Sequence, residues 1–277
     1  MYKIITDTSC DLSKDEMQKL NISYVPFNIH VEEDEFIDDD NLDLNGLLEK
    51  MEKSHEPIMT SCPSPYDYLT IIEENLDKEI FILTISSALS GSFNSATVAA
   101  NQAKEKHKDL KITVLDSKSA SAGHTLVVLK LLELLKDNDF DEAEKKIRKI
   151  IDENTTMFVL ESMQNLIKNG RIKKSTGLIA NVLNIKPIMV SNNGEIDLYE
   201  INRGIRKSLD KMVGAIELIS KKKTFDMITI SYCKNKERAE NLKEKIKELY
   251  DVDQVIVNHT NGISSSYADL GGIVIAF

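Results

Sequence analysis

The amino-acid sequence predicts a two-domain α/β protein. A three-layer α/β/α domain with a parallel sheet is expected over residues 1–153, and an α+β domain with a mixed sheet over 154–277. A chain of 277 residues is long for one domain and comfortable for two. The first half alternates short apolar runs with helical patterns, and repeated β-turn-α units imply a parallel sheet covered by helices on both faces. In the second half, Ser-Asn-Asn-Gly joins two strand patterns into a hairpin, which implies antiparallel pairing.

Apolar runs and capping residues define the elements of the first half. Strands are predicted at residues 3–6, 24–31, 80–85 and 112–115. Helices are predicted at 13–20, 44–53 and 66–76, from residue 96 onward, in the apolar segment that ends at 135, and at 139–151. Ser13 with Glu16 forms a capping box, and Ser64 before Pro65 is typical of a helix start. Residues 57–65 are predicted to be a loop that their prolines stiffen.

The second half has a different order of elements. Strands are predicted at residues 157–160, 186–190, 195–201, 227–231, 254–257 and 272–276. Helices are predicted at 162–168, 204–220 and 237–249. No flexible linker is visible near residue 153, so we expect the two domains to share an extensive interface.

Composition narrows the class of protein. A formal net charge of −10 argues against general binding of nucleic acid, which depends on neutralising phosphates. The three cysteines, Cys10, Cys62 and Cys233, are odd in number and far apart, so they suggest neither a disulfide framework nor a metal site. Asp7 comes too early for a signal peptide, and no uncharged apolar run approaches the ~20 residues that span a bilayer. We therefore expect a cytoplasmic protein.

The most informative segment is the hydroxyl-rich turn at residues 86–96, which contains Ser90 and Gly91. It follows a buried strand pattern and precedes a helix. Hydroxyl groups and backbone N–H groups therefore meet the positive end of a helix dipole, an arrangement that suits a small anion such as a phosphate or a carboxylate. Ser90 has a plainer alternative role as the cap of the helix, at the N–H of Phe93 or Asn94.

Common catalytic motifs are absent from the sequence. It contains no G-x-S-x-G, G-x-x-x-x-G-K-[ST], G-x-G-x-x-G or H-E-x-x-H, and we assign no catalytic residue and no metal ligand. The acidic runs 32–35 and 38–40 lack the alternating ligands and the glycine of a calcium loop, so we predict solvated loops there. His124 follows Gly123 at the start of a helix, and we expect it to pack there.

Several segments, taken together and in order, resemble the DegV family. Each match is weak alone, but they extend from residue 4 to near the C-terminus. The segments are 6–12, 60–65 (T-S-C-P-S-P beside the family's T-S-Q-P-S), 86–96 (beside S-S-x-L-S-G-T-Y-x-S-A), 116–117, 169–172 (beside G-G-R-I), 186–188, 203–207 and 258–262.

This resemblance implies a two-domain DegV-like fold that binds a long-chain fatty acid between its domains. Members of the family present the fatty-acid carboxylate to a separate fatty acid kinase, which phosphorylates it with ATP, and the acyl phosphate enters phospholipid synthesis. The chain would then be a carrier and not an enzyme, with the fatty acid as its ligand and no cofactor. We also expect a monomer that makes transient contact with a membrane and binds no nucleic acid.

The resemblance also assigns residues to roles. The carboxylate-binding set is Thr60, Ser61, Ser90, Gly91 and Ser92. The set assigned to the kinase-dependent transfer is Arg171, Arg203 and His259. Arg171 and Arg203 belong to two basic clusters, which could equally be a solvated face and which also contain Lys168, Lys173, Lys174, Arg206 and Lys207. Candidates for the wall of an acyl tunnel, each of which could equally pack a core, are Leu166, Ile167, Leu178, Ile179, Val182, Leu183, Ile185 and Met189.

The sequence departs from the family pattern at three places. Cys62 replaces a glutamine, Asn169 replaces a glycine, and the late His-Thr-Asn-Gly motif lacks a proline-glycine turn, so the carboxylate loop and partner interface are expected to differ.

Two other functions are alternatives to fatty-acid binding. One alternative is an acyl hydrolase that uses Ser90 or Ser92 with His259. The other is a regulatory module that binds a small phosphorylated metabolite at the same turn.

Overall fold

The computed structural model of the protein describes residues 1–172 and 184–277. The first half contains, in chain order, β1 (Tyr2–Asp7), α1 (Lys14–Lys19), β2 (Ile22–Val25), β3 (Asn28–Val31), β4 (Asp34–Ile37), α2 (Leu44–Lys53), β5 (Met59–Ser61), α3 (Pro65–Glu73), β6 (Glu79–Thr84), α4 (Ser92–Lys106), β7 (Ile112–Asp116), α5 (Ala122–Leu134) and α6 (Phe140–Glu153). The second half contains β8 (Thr156–Val159), α7 (Gln164–Lys168), β9 (Ile188–Asn192), β10 (Glu195–Glu200), α8 (Ile205–Ser220), β11 (Thr224–Tyr232), α9 (Lys236–Leu249), β12 (Asp251–His259), α10 (Gly262–Ala268) and β13 (Ile273–Ala276).

The first sheet is parallel and has the strand order β2-β1-β6-β7. Because successive side chains of a strand point to opposite faces, each strand contributes to two buried clusters. Ile4 and Phe81 pack with α5 and α6 on one face, whereas Ile5 and Ile82 pack with α3 and α4 on the other. Full burial of each such side chain contributes about 1.5–3 kcal/mol, so both helical layers are held firmly. The predicted α/β/α arrangement is confirmed.

The second sheet is mixed and has the order β10-β9-β8-β13-β11-β12, in which β11 and β12 are parallel and the other pairs antiparallel. Helices α8 and α9 cover one face of it. On the other face, Phe158, Met227 and Val274 pack with Leu126 of α5, so this face is turned toward the first half of the chain. The predicted mixed sheet and its β9–β10 hairpin are confirmed. The predicted boundary at residue 153 falls at the end of α6 and stays a prediction.

A small third sheet, β4-β3-β5, was not predicted. The single extended stretch expected at 24–31 divides at Pro26, which has no N–H to donate to a ladder, into β2 of the parallel sheet and β3 of the small one. The predicted loop at 57–65 contains β5, which pairs with β3. This sheet matters because β5 carries Thr60 to the edge of the cavity described below.

The acidic runs are solvated only in part. The side chains of residues 32–35 are exposed, as predicted, but Asp34 and Glu35 belong to β4 and not to a loop. Asp38 corrects that prediction, because it is buried and its two carboxylate oxygens accept from the backbone N–H groups of Gly262 (3.0 Å) and Ile263 (2.8 Å) at the start of α10. A negative charge is favourable at this end of a helix, and the contact fixes α10 against the first half.

Candidate ligand-binding site

A cavity of about 360 Å³ lies between the C-terminal edge of the parallel sheet and the inner face of the mixed sheet. This volume is within the range of small-molecule sites, which are usually concave and mainly apolar. Both halves of the chain contribute to its apolar wall, which consists of Phe27, Ile85, Leu89, Phe158, Leu160, Leu166, Ile196, Ile263, Ala268 and Val274.

One end of the cavity is polar and combines two of the segments singled out in the sequence. Thr60 and Ser61 of β5 line this end together with Ser90 and Gly91, which precede α4. The two segments touch, because a Cβ atom added to Gly91 would lie 3.2 Å from the sulfur of Cys62. Ser61 and Gly91 are exposed, so this end of the cavity reaches the protein surface.

Ser90 has a hydroxyl group that remains available to a ligand. Its oxygen accepts a bond from the backbone N–H of Ser92 over 3.3 Å. The alternative role of Ser90, as the side-chain cap of Phe93 or Asn94, is not observed. Within the described residues the structure records no acceptor for the Ser90 hydroxyl hydrogen, so Ser90 can serve the start of the helix and donate to an anion at the same time.

Arg171 and Tyr267 complete the polar end. Arg171 lines the cavity and donates from Nε to the carbonyl of Leu89 (3.2 Å) and from Nη1 to that of Asn169 (2.6 Å), which fixes its guanidinium beside Ser90. Tyr267 of α10 places its hydroxyl 2.8 Å from Thr60 Oγ1, and the Arg171 Cζ atom lies 5.9 Å from the centre of its ring. Sequence reasoning missed Tyr267.

Several other hydroxyl groups along the cavity are already committed, whereas Ser264 Oγ is buried without a hydrogen-bond partner among the described residues. Ser9 donates to Asp7 over 2.6 Å and Ser121 donates to Asp11 over 2.5 Å. The Ser119 and Thr156 hydroxyl groups pair with each other at 2.6 Å. Buried hydroxyl groups that are satisfied among themselves offer little to a ligand. The Lys118 ammonium, which also lines the cavity, is paired with Asp152 over 2.7 Å, so the Thr60–Ser90 end is where available hydroxyl groups lie together with a guanidinium.

Ser92 does not line the cavity. Its side chain is fully buried, donates to Asp7 Oδ2 over 2.6 Å, and lies 2.7 Å from the hydroxyl of Tyr68. Asp7 also accepts from the backbone N–H of Ile85. The one-residue step from Gly91 to Ser92 enters the first turn of α4, which directs Ser92 into the interior beneath the site.

His124 belongs to the same buried network. Its Nδ1 lies 2.6 Å from Ser9 Oγ, and its Nε2 lies 3.0 Å from Thr6 Oγ1. Burial lowers the pKa of His124 because the interior solvates an imidazolium cation poorly, although nearby Asp7 opposes this. Since Ser9 donates to Asp7, the imidazole does not accept the serine proton, and this group is a structural support and not a nucleophile-base pair.

The comparison with known proteins agrees with this geometry. The model of a family described as "Uncharacterised protein, DegV family" matches residues 1–277. The chain belongs to the DegV family. A "DegV domain-containing protein spr0652" of Streptococcus pneumoniae is 34% identical over 280 residues, with 100% of this chain and 98% of the relative covered.

Solved DegV structures share the fold over the whole chain. The DegV protein of Ruminococcus gnavus, refined with vaccenic acid, has a TM-score of 0.92 and 35% identity, with 100% of this chain and 99% of that chain covered. The Streptococcus pneumoniae Fatty Acid Kinase (Fak) B3 protein, loaded with linoleic acid, has a TM-score of 0.89 and 32% identity over the same shares of the two chains. A DegV protein of Eubacterium eligens, loaded with heptadecanoic acid, has a TM-score of 0.91 and 28% identity, again over 100% and 99% of the chains.

The residues that the DegV resemblance assigned to transfer do not all meet in the cavity. Arg171 lines it, whereas Arg203 and His259 are absent from its wall. His259 donates from Nδ1 to the carbonyl of Thr260 (2.8 Å) and accepts at Nε2 from the backbone N–H of Lys234 (3.3 Å). Among the described residues no hydrogen bond joins Ser90 to His259, so the geometry offers the hydrolase alternative no nucleophile-base pair.

The tunnel candidates of this DegV chain have different positions. Leu166 lines the cavity, while Ile167 and Met189 pack in the hydrophobic cluster beside it and Ile185 is half-buried outside the wall. The other four candidates, Leu178, Ile179, Val182 and Leu183, lie outside the described residues, as do the basic residues Lys173 and Lys174.

The described ranges contain no group of three or more His, Cys, Asp or Glu side chains that could hold a metal ion. In the same ranges, none of the helices is both long and apolar enough to cross a membrane.

Proposed function

We propose that this protein binds a long-chain fatty acid, with the hydrocarbon chain along the apolar wall of the cavity and the carboxylate at Thr60, Ser90 and Arg171. The observation that carries the proposal is the contrast between the two parts of the cavity. Most of its wall is apolar or has hydroxyl groups that are paired, and its Lys118 ammonium is paired with Asp152. At one end, by contrast, the available hydroxyl groups of Thr60 and Ser90 lie together with the guanidinium of Arg171. The fatty acids bound in the related DegV structures support it.

The energetics favour a long chain as the ligand. Each methylene group removed from water contributes ~0.8 kcal/mol, so roughly sixteen carbons would contribute on the order of 12 kcal/mol before the cost of ordering the ligand. A buried carboxylate needs hydrogen bonds, and those to a charged group are about twice as strong as neutral ones. Thr60, Ser90 and the guanidinium of Arg171 supply donors of this kind.

A partner kinase would act on the bound carboxylate. The exposure of Ser61 and Gly91 supports this, because the polar end opens to the protein surface where a second protein could reach it. In such a step a carboxylate oxygen attacks the γ-phosphorus of ATP, the bond to the leaving ADP breaks, and an acyl phosphate forms. We propose that Arg203 and His259, which are outside the cavity wall, serve the encounter with the kinase, while Arg171 serves both binding and transfer.

The ligand can be identified directly. Native mass spectrometry and lipid extraction of protein purified from cells should reveal a long-chain acid at a one-to-one ratio. Protein stripped of lipid should take up oleate or palmitate again. A clean apo mass together with no uptake of either acid contradicts the proposal. A larger thermal shift with phosphorylated small molecules than with oleate would favour the regulatory alternative instead.

The kinase step needs a separate experiment. Oleate-loaded protein, the ATP-binding subunit of a fatty acid kinase, and ATP should yield ADP and acyl phosphate. Arg203→Ala and His259→Ala should lower the rate and leave oleate affinity unchanged, whereas Arg171→Ala should lower both. Lys247→Ala, at an exposed position of α9 away from the cavity wall, is the matched control and should change neither.

A further inference from the structure

Tyr267 connects the polar end of the cavity to α10. Its hydroxyl oxygen and Thr60 Oγ1 are 2.8 Å apart, although 207 positions separate the two residues in the chain. The ring of Tyr267 packs with Phe27, Ile85 and Ile263, which are buried beside the polar end. A half-buried aromatic ring held on one side by apolar contacts and on the other by a hydrogen bond has a fixed position, so Thr60 meets a partner of defined geometry.

The direction of the hydrogen bond follows from the chemistry of the two groups. Either hydroxyl can donate, but a phenol is a stronger donor than an aliphatic alcohol. The guanidinium of Arg171, 5.9 Å from the ring centre, withdraws electron density from the ring and strengthens this preference. When Tyr267 donates to Thr60, the threonine hydrogen must point elsewhere, and the cavity is the space that Thr60 faces.

We propose that Tyr267 is a positioning residue that aims the Thr60 hydroxyl hydrogen at the ligand and so makes the cavity select a free carboxylate over an ester or an alcohol. This inference rests on the proposed fatty-acid binding and adds the origin of its head-group selectivity. A carboxylate anion only accepts hydrogen bonds, which suits an oriented donor beside a guanidinium. A methyl ester carries no charge, and a fatty alcohol presents a donor of its own, so each gains less from the oriented hydroxyl.

A double-mutant cycle on Tyr267 and Thr60 tests whether Tyr267 acts on the ligand through the Thr60 hydroxyl. Tyr267→Phe keeps the ring and its packing but removes the donor. It should weaken oleate binding about 5- to 10-fold, less than the loss of a whole hydrogen bond to a charged group, because Thr60 keeps its hydroxyl and loses only the group that orients it. Binding of methyl oleate should change by less than about twofold, because a neutral acceptor loses less. In a Thr60→Val background the same substitution should have almost no effect on oleate, since the hydroxyl that Tyr267 orients is gone.

Control variants show whether a loss of oleate binding in Tyr267→Phe comes from the orientation of Thr60 or from a change in the fold. Tyr199→Phe removes a phenol hydroxyl from an exposed tyrosine on β10 and should leave oleate affinity unchanged. Thr60→Ser keeps a hydroxyl for Tyr267 and should retain most of the affinity. The melting temperature of each variant shows whether the fold is intact, and an unfolded Tyr267→Phe protein would overturn the inference by making Tyr267 a structural residue.

The outcomes also separate this inference from the function on which it depends. If the unaltered protein takes up neither oleate nor palmitate, the proposed function is wrong. If the protein binds oleate but Tyr267→Phe weakens acid and ester equally, or if the two substitutions are simply additive, the function stands and the positioning role of Tyr267 is wrong.

Discussion

The backbone N–H of Asn261 donates to Asp11 Oδ1 over 3.0 Å, and this bond joins the loop after β1 to the loop before α10. The Asn261 side-chain amide donates to the carbonyls of Cys10 (2.7 Å) and Leu12 (3.1 Å) as well. Ser121 supplies a bond to the other oxygen of Asp11. The asparagine of the late His-Thr-Asn-Gly motif therefore has a structural role, which is to hold α10 and its Tyr267 against the first half of the chain.

Asp11 should make stability depend on pH. Burial raises the pKa of its carboxyl group to about 6, because the interior solvates a carboxylate poorly. Between the unfolded value near 4 and this folded value, the folded protein holds a proton that the unfolded chain has lost, so its stability falls as pH rises. We expect this group to lower the free energy of unfolding by about 3 kcal/mol between about pH 4 and pH 6.5, with no further change above that.

Urea unfolding of Asp11→Asn over the same pH range checks this. The free energy of unfolding of this variant should not fall between about pH 4 and pH 6.5 as that of the unaltered protein does. The difference in free energy of unfolding between the two proteins should therefore change with pH. Asp253→Asn makes the same substitution at an exposed position of β12 and is the matched control. A constant difference for Asp11→Asn would show that Asp11 titrates as in the unfolded chain.

Gly262 should tolerate no side chain. A Cβ atom there would lie 2.6 Å from Leu42 Cδ2 and 2.8 Å from the Asp38 carboxylate that binds the start of α10. Overpacking of this kind costs about 1–3 kcal/mol, so Gly262→Ala should lower the free energy of unfolding by that amount. Gly214→Ala, within α8 with no atom within 4 Å of the added Cβ, should instead raise it by about 0.5–1 kcal/mol. Equal effects in urea unfolding would contradict the packing argument.

The main sheets could be predicted from the sequence because their strands are continuous apolar runs between capped helices. β6 and α3 are examples, since the Ser64 cap and the Pro65 start are both present in the structure. The small third sheet could not be predicted, because β4 has only four residues, of which two are acidic, and because nothing local shows that the stretch after Pro26 leaves the main sheet. Strand pairing of this kind depends on contacts distant in the chain.

The candidate site was predictable only in part, for a similar reason. Thr60, Ser90 and Arg171 belong to segments with a recognisable pattern, and the structure brings them to one end of the cavity. Tyr267 has no such pattern, since its contact with Thr60 spans 207 positions. Ser92 shows the opposite case, in which a residue inside a recognised segment turns away because the helix begins there.

Ser90→Ala should weaken fatty-acid binding without changing the fold. Removing one hydrogen bond to a charged group costs about 1.5–3 kcal/mol, so the dissociation constant for oleate should rise by about tenfold or more. Ser119→Ala deletes a serine hydroxyl from the same cavity, but one that is paired with Thr156, and should change oleate affinity far less. Titration calorimetry measures both, and equal losses would mean that Ser90 is not a head-group ligand.

Cys62 should be the thiol that reacts with alkylating reagents. Cys10 and Cys233 are buried, and burial raises the pKa of Cys10 to about 12 and also raises that of Cys233, so neither forms much thiolate near neutral pH. Cys62 is half-buried at the polar end of the cavity. We expect iodoacetamide to add one group to the lipid-free protein, and none to Cys62→Ser. Bound oleate should slow the reaction, and labelling at an unchanged rate would place the ligand elsewhere.

Val274 should limit the length of the acyl chain. Its side chain lines the cavity and packs in the same apolar cluster as Phe158 and Ile196. Val274→Phe should exclude two or so methylene groups of a long ligand, each worth ~0.8 kcal/mol, and so weaken oleate binding about tenfold. Laurate, which is shorter, should lose much less. Val257→Phe, which alters the half-buried opposite side of the same sheet, should leave the ratio of the two affinities unchanged. If Val274→Phe weakens oleate and laurate equally at an unchanged melting temperature, the chain does not extend past this residue.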